Sequence, residues 1–162
     1  MTMNDNLTGI PHLNLPKFSP RIKENSGKRF IFDSLLKKYV KLTPEEWVRQ
    51  HFVNYLLIYK KYPGGRIGNE ISLLYNGMKK RCDTVIYNEF TQPLILIEYK
   101  APDVKITQSV FDQISVYNLA MQVPYLIVSN GMSHYCCYVD YAQCSYSFLE
   151  DIPDYQNLVQ NK

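Results

Sequence analysis

Two stretches decide how this chain folds: Arg81-Cys82-Asp83-Thr84-Val85-Ile86-Tyr87 and, after a polar loop, Leu94-Ile95-Leu96-Ile97-Glu98-Tyr99-Lys100-Ala101-Pro102. Residues 94–97 are apolar without alternation, the pattern of a central strand covered on both faces. The strand then closes on Glu98 and Lys100. Residues two apart in a strand share a face, so this carboxylate and this ammonium project together. Asp83 is the only acid in the apolar run 82–87. An acid inside a strand is disfavoured by propensity and by burial unless something compensates for it. Ala101-Pro102 ends the second strand, because proline supplies no ladder donor.

Upstream, from residue 66, the period of the apolar side chains is two, which predicts a strand over 66–75. Asn76-Gly77 is a hairpin turn, and the chain returns from Lys79 or Lys80 to Tyr87. A two-residue turn pairs Tyr75 with Met78 and sets Glu70 opposite Asp83, and a four-residue turn keeps both acids on one face. With the strand of Glu98 beside that of Asp83, three carboxylates and Lys100 converge. So dense a negative cluster needs a cation, shared protons or further positive side chains.

Downstream, residues 107–121 read as a helix with Val110, Phe111, Ile114, Tyr117 and Met121 as its buried stripe. Residues 124–129 form an apolar strand, Asn130-Gly131 turns the chain, and 135–139 return. Further upstream, Thr43-Pro44-Glu45-Glu46 starts a helix: Thr43 caps it, Pro44 occupies its first turn, and Glu46 completes a capping box. Val48, Phe52, Tyr55, Leu56 and Tyr59 share one face, and the helix ends before Pro63-Gly64-Gly65. Arg49 suits a pairing with a carboxylate or phosphate, but an exposed helical arginine is the expectation. Residues 29–32 and 38–42 are extended. Residues 1–27, with Pro11, Pro16 and Pro20 and no sustained periodicity, read as a lead-in arm to one domain over 28–162. The order is helix, three-strand meander, helix, two strands, which is an α/β architecture with a mixed central sheet flanked by helices.

Composition narrows the function. At 162 residues, 46% hydrophobic and 20% charged, with 14 Tyr and 7 Phe, the chain is long enough for one real core and too apolar for whole-chain disorder. No apolar run approaches the roughly 18 residues of a membrane helix, and the first residues have no secretory pattern, so a cytoplasmic location and no membrane partner are expected. Cys82, Cys136, Cys137 and Cys144 contain no C-x-x-C pair, and His12, His51 and His134 form no ligand pair, so all four thiols read as structural. Residues 17–41 hold eight Lys and Arg against Glu24 and Asp33, a net +6, whereas the tail from Asp140 is acidic. This asymmetry suits a polyanion bound by the N-terminal half, or simply a solvated lysine-rich face.

Two carboxylates suit Mg²⁺, which takes few protein ligands and keeps water for a phosphate substrate. A neighbouring lysine then stabilises the charge of a phosphodiester under attack. For an isolated E-x-K the ion pair at a strand end is the commoner explanation. The context is more specific. Asp83, a spacer, and Glu98-Tyr99-Lys100 at the end of a hydrophobic strand before a helix resemble the PD-(D/E)xK nuclease superfamily. Thr43-Pro44-Glu45-Glu46-Trp47-Val48-Arg49-Gln50, Arg81-Cys82-Asp83, Ile97-Glu98-Tyr99-Lys100-Ala101-Pro102, Gln113-Ile114-Ser115-Val116-Tyr117-Asn118 and Ser129-Asn130-Gly131 together resemble the N-terminal nuclease domain of type I restriction enzyme R subunits, over residues 28–155.

The resemblance implies a restriction-endonuclease-like core and a metal-dependent deoxyribonuclease. It makes Asp83 and Glu98 the ligands of Mg²⁺, with Mn²⁺ as a substitute, and Lys100 the catalytic lysine. Glu70 matches an acid on the first strand and Glu46 one on the first helix, although the capping box already explains Glu46. Gln113 and Tyr117 match a Gln-x-x-x-Tyr element near DNA, and Tyr117 belongs equally well to the helix core. Arg81 joins the DNA-binding set. The chain carries no G-x-x-x-x-G-K-[ST] phosphate loop, so a translocating motor, if one is used, is expected on a separate restriction-modification subunit. A homodimer is a candidate route to cutting both strands. The alternatives to a nuclease are a DNA-binding accessory module using Lys28, Arg29, Lys37, Lys38 and residues 79–81 on the phosphate backbone, and a partner-docking domain that touches no nucleic acid.

Overall fold

The computed structural model describes residues 9–160, apart from the side chains of Tyr75, Met78, Val116, Tyr117, Leu119 and Ala120. Three short strands, β1 (Ile22–Asn25), β2 (Lys28–Asp33) and β3 (Lys38–Lys41), form an antiparallel sheet in that order. Then come α1 (Pro44–Ile58), β4 (Ile67–Tyr75), β5 (Met78–Tyr87), β6 (Pro93–Tyr99), α2 (Gln108–Met121), β7 (Tyr125–Ser129), β8 (His134–Asp140), β9 (Ser145–Phe148) and α3 (Tyr155–Gln160). Strands β4 to β9 make a six-stranded sheet in sequence order. Only β6 and β7 are parallel, with Ile97 beside Ile127. That pair is joined by α2, because a parallel connection needs a crossover long enough to hold a helix.

Two apolar layers cover the sheet. On one face Val48, Phe52 and Leu56 of α1 pack on Ile95, Ile97 and Tyr99 of β6 and Ile127 of β7. On the other Phe111 and Ile114 of α2 pack on Val85, Leu96, Leu126 and Val128. Both faces of β6 are therefore buried, as its unbroken apolar run requires. Tyr59, placed by periodicity on the inner face of α1, is instead half exposed beyond the helix end. The central thiols Cys82, Cys136 and Cys137 are buried and unpaired, and Cys144 is exposed.

The lead-in stretch is more ordered than its composition suggests. Residues 22–25 are a strand, with Asn25 opposite Lys28 across the turn. Leu13 and Leu15 pack against the α1-side core, and the Asn14 N–H donates to the Gly131 carbonyl at 2.8 Å. Gly131 has φ +82°, and a Cβ there would sit 2.7 Å from the Leu13 side chain. Only glycine satisfies both conditions. Strand β9 and helix α3 were not expected from the sequence; Ser145–Phe148 is exposed along its whole length, so no alternation marks it.

Candidate active site

The hairpin of β4 and β5 turns on Asn76 and Gly77, both with positive φ, and pairs Tyr75 with Met78. This is the two-residue turn that the sequence implies. The register is constant from Ile67 opposite Ile86 to Tyr75 opposite Met78, but the Glu70 and Asp83 position is skipped. Glu70 has φ +55°, in the left-handed region. The consequence is a change of face on both strands. Asn69 and Thr84 hydrogen-bond to each other within the polar cluster that reaches Tyr99, while Ile71 and Cys82, one pair further along, pack on the α2 side. Strict alternation would have kept residues 69 and 71 together.

Asp83, two residues before Val85, shares its face with Val85, and the alternation breaks only between Asp83 and Cys82. Its Oδ2 accepts the Tyr99 N–H at 2.9 Å, which draws it to the end of β6 beside Glu98. Glu98 and Lys100 project together as their spacing requires, with Lys100 Nζ 3.3 Å from Glu98 Oε1. The Lys100 N–H donates to the Ser129 carbonyl at 2.9 Å, which fixes the strand end against β7. Burial pushes the Asp83 carboxyl above its ordinary value. The Tyr99 N–H opposes this, the charge of Glu98 adds to it, and Arg49 and Lys100 counter it.

Glu70 does not join the two other carboxylates. Its oxygens face arginines: Arg81 at 2.7 Å and Arg49 at 3.5 Å. The expected convergence of three acids is thus a convergence of two, with the third held aside by a left-handed backbone and two guanidinium groups. Among the described residues no group of three or more His, Cys, Asp or Glu side chains is placed to share a metal ion.

Arg49 is not the exposed helical arginine expected. It is 4% exposed and pairs with Glu46, itself 9% exposed. Burial would pull its guanidinium down, but the charge and hydrogen bond of Glu46, then the charge of Glu70, hold it above its ordinary value. The capping box is only half formed. Thr43 Oγ1 accepts the Glu46 N–H at 3.1 Å, whereas the Glu46 carboxylate turns to Arg49 Nε at 3.1 Å and Gln50 Nε2 at 2.7 Å. From Gln50 the hydrogen bonds continue to buried Asp33, then Asn69, Thr84 and the Tyr99 hydroxyl. Tyr99 is thereby fixed from both ends, its hydroxyl in this polar cluster and its N–H on Asp83.

Sequence reasoning gave Lys80 a role only within residues 79–81 of the DNA-binding alternative and did not set it beside the carboxylates. It is half-buried, and burial lowers its ammonium against the opposing charges of Cys82, Glu98 and Asp83. Its place follows from the change of face at Asp83, which a single sequence does not show. Gln113 is exposed on α2 and Arg81 is 67% exposed, so both are accessible to a polyanion. The Tyr117 side chain lies outside the described residues.

The family model described as type I restriction enzyme R protein N terminus matches residues 44–153. The chain belongs to this family. The match spans the sheet, both large helices and every residue of the carboxylate and arginine cluster. A fragment structure assigned to an HsdR subunit of a type I restriction enzyme from Vibrio vulnificus is 16% identical, covers 74% of this chain and 25% of that one, and has a TM-score of 0.53. At that identity the likeness shows the shared fold, and this R-protein N-terminal domain spans about a quarter of that relative's length. A nuclease-assigned DUF820 protein from Anabaena variabilis is 12% identical, with 99% of this chain and 92% of that one covered, at TM-score 0.48. The DrdV–DNA complex is 11% identical over 73% of this chain and 12% of that one, at TM-score 0.43. No curated protein matches the sequence.

Proposed function

We propose that this R-protein N-terminal domain is a Mg²⁺-dependent DNA endonuclease. The observation that carries the reading is the junction of β5 and β6, where Asp83 and Glu98 lie together with Lys100 at the end of a buried strand. The donor set fits the metal: two carboxylates and no third acid suit an ion that binds through one or two protein oxygens and keeps its waters. Asp83 and Glu98 would hold it, and bound there it would polarise the phosphodiester and lower the pKa of a coordinated water.

The chain's own residues set the rest. Asp83 and Glu98 repel each other in a partly desolvated site, so a divalent cation is the partner that relieves them. Lys100, held on Glu98, presents an ammonium to the negative charge that develops on the phosphoryl oxygens. Arg81 and Gln113 are placed to contact the DNA backbone. Glu70 pairs with Arg81 in the free domain and stays apart from the two carboxylates. A separate translocase or restriction-modification subunit and a second copy of the domain are the partners this reading implies. No described helix is long and apolar enough to cross a membrane, and unpaired buried thiols suit a reducing, cytoplasmic setting.

The test is incubation of the purified chain with supercoiled, linear and single-stranded DNA in Mg²⁺, Mn²⁺ or EDTA, beside Glu98→Gln and Lys100→Ala. Cleavage that needs the metal and is lost in both variants supports the reading. A folded chain that binds DNA in a salt-dependent way and never cuts under either metal assigns it an accessory binding role instead.

A further inference from the structure

The cationic excess over residues 17–41 is not used by the carboxylate site. The structure gathers part of it elsewhere. Between the N-terminal segment, the small sheet and the first turn of α1 lies a cavity of about 400 Å³. Lys28 and Arg29 of β2 and Lys41 of β3 line it, with Pro11, Leu42 and Trp47 as its apolar wall. Among the described residues no acidic side chain lines it, and neither do Asp83, Glu98, Lys100 or Glu70.

The wall is rigid. The Trp47 Nε1–H donates to the Pro11 carbonyl at 3.1 Å, and the indole meets the His51 ring edge-on at 4.1 Å between centroids. The aromatic surface is therefore held in place beside the space it borders. A cavity of this volume lies within the range of small-ligand sites. Lys28 and Lys41 share one face of the small sheet, since Phe30, two residues after Lys28, lies opposite Lys41. This cation pair selects an anion, and the apolar wall of Pro11, Leu42 and Trp47 selects a flat apolar ring.

We infer that this cavity binds a nucleotide unit, with the phosphate on Lys28 and Lys41 and the base against Trp47 and Leu42. Its occupant carries phosphate and base together, supplied either by a free nucleoside monophosphate or by one nucleotide of a DNA strand. The inference is independent of cleavage, because the two sites share no lining residue. They do share a helix: Trp47 follows Glu46, whose carboxylate holds Arg49 and Gln50.

Trp47 is the only tryptophan in the chain, so the indole emission has a single source, at the cavity wall. The full chain in EDTA is titrated with deoxyadenosine monophosphate, with inorganic phosphate and with a single-stranded oligonucleotide. Calorimetry runs in parallel, and the variants are Asp83→Asn and the double substitution Lys28→Ala with Lys41→Ala. Both lysines are exposed, so the double variant retains the fold, which circular dichroism checks. The expected result is a saturable change in Trp47 emission that is unaltered in Asp83→Asn. In the double variant binding weakens about a hundredfold, at about tenfold for each charge-assisted contact. Saturation by the monophosphate identifies a free nucleotide, and saturation by the oligonucleotide alone identifies a strand. Two outcomes overturn the inference: neither fluorescence nor heat saturating with either ligand, or the double variant binding as the wild type does. A response to inorganic phosphate equal to that of the nucleotide overturns the role of the base.

Discussion

Replacing Arg49 by alanine removes the cation that lies among Glu46, Glu70 and Asp83. The side chain is 5% exposed and its closest partner, Glu46, is 10% exposed at the side chain, so both charges have given up most of their hydration. Taking away one member of such a pair leaves the other buried and uncompensated, which costs about 3–5 kcal/mol. Gln50 still donates to Glu46, which favours the lower end of that range. For a chain of this size each kcal/mol moves the melting temperature by about 2–4 °C, so a drop on the order of 6–12 °C is expected at about 3 kcal/mol. Urea unfolding of wild type, Arg49→Ala, Glu46→Gln and the double variant at neutral pH measures it. The double variant should recover part of the loss, with a coupling of about 0.5–3 kcal/mol. A loss below about 1 kcal/mol in Arg49→Ala, the range of an exposed pair, would refute the claim that this arginine is the buried anchor of the cluster.

Three more outcomes follow from the same geometry. The Asp83 carboxyl sits above its ordinary value of 3.8, so the folded state binds this proton more tightly than the unfolded chain. That contribution to stability is lost as pH rises from 3.8 through the raised folded value. In EDTA, Asp83→Asn should match wild type at low pH and become the more stable protein toward neutrality, as urea titrations across pH 3–8 will show; equal stability at pH 7 contradicts the strain assigned to Asp83. Thr43→Ala removes the acceptor of the Glu46 N–H and should cost about 1 kcal/mol by thermal unfolding. At Glu70, with φ +55°, glycine should change stability by less than about 1 kcal/mol, since relieved backbone strain offsets a surface ion pair. Valine at that position should cost about 1–2 kcal/mol more than glycine in the same assay.

The central fold was legible because β6 and α2 obey simple patterns. An unbroken apolar run means two covered faces, and an apolar stripe at helical spacing means one. The Asn76-Gly77 turn set the hairpin register correctly. The same reading misjudged the acids, because it assumed strict alternation through Glu70, and a left-handed residue in mid-strand leaves no mark in a single sequence. Arg49 was misjudged for a related reason. Glu46, three residues earlier on α1, is its nearest partner, but the burial comes from packing beside the β4 and β5 acids Glu70 and Asp83, about which helix propensity carries no information. Strands β1 and β9 escaped notice because both are short and exposed, so burial imposes no period on them. The pairing of Asp83 with Glu98 and Lys100 was readable, since one rule about side chains two apart and one antiparallel neighbour suffice to bring them together.

The central claim is that Asp83, Glu98 and Lys100 form a metal-dependent phosphodiesterase site, and Asp83→Asn tests it most directly because that variant keeps the acceptor for the Tyr99 N–H and is expected to be no less stable than wild type. Nicking of supercoiled plasmid is followed for both proteins at equal concentration in Mg²⁺, after circular dichroism has confirmed the fold of each. The account predicts nicked circles with wild type, none in EDTA, and none with Asp83→Asn in either condition. Undiminished nicking by Asp83→Asn, or no nicking by a folded wild type in either Mg²⁺ or Mn²⁺, contradicts it.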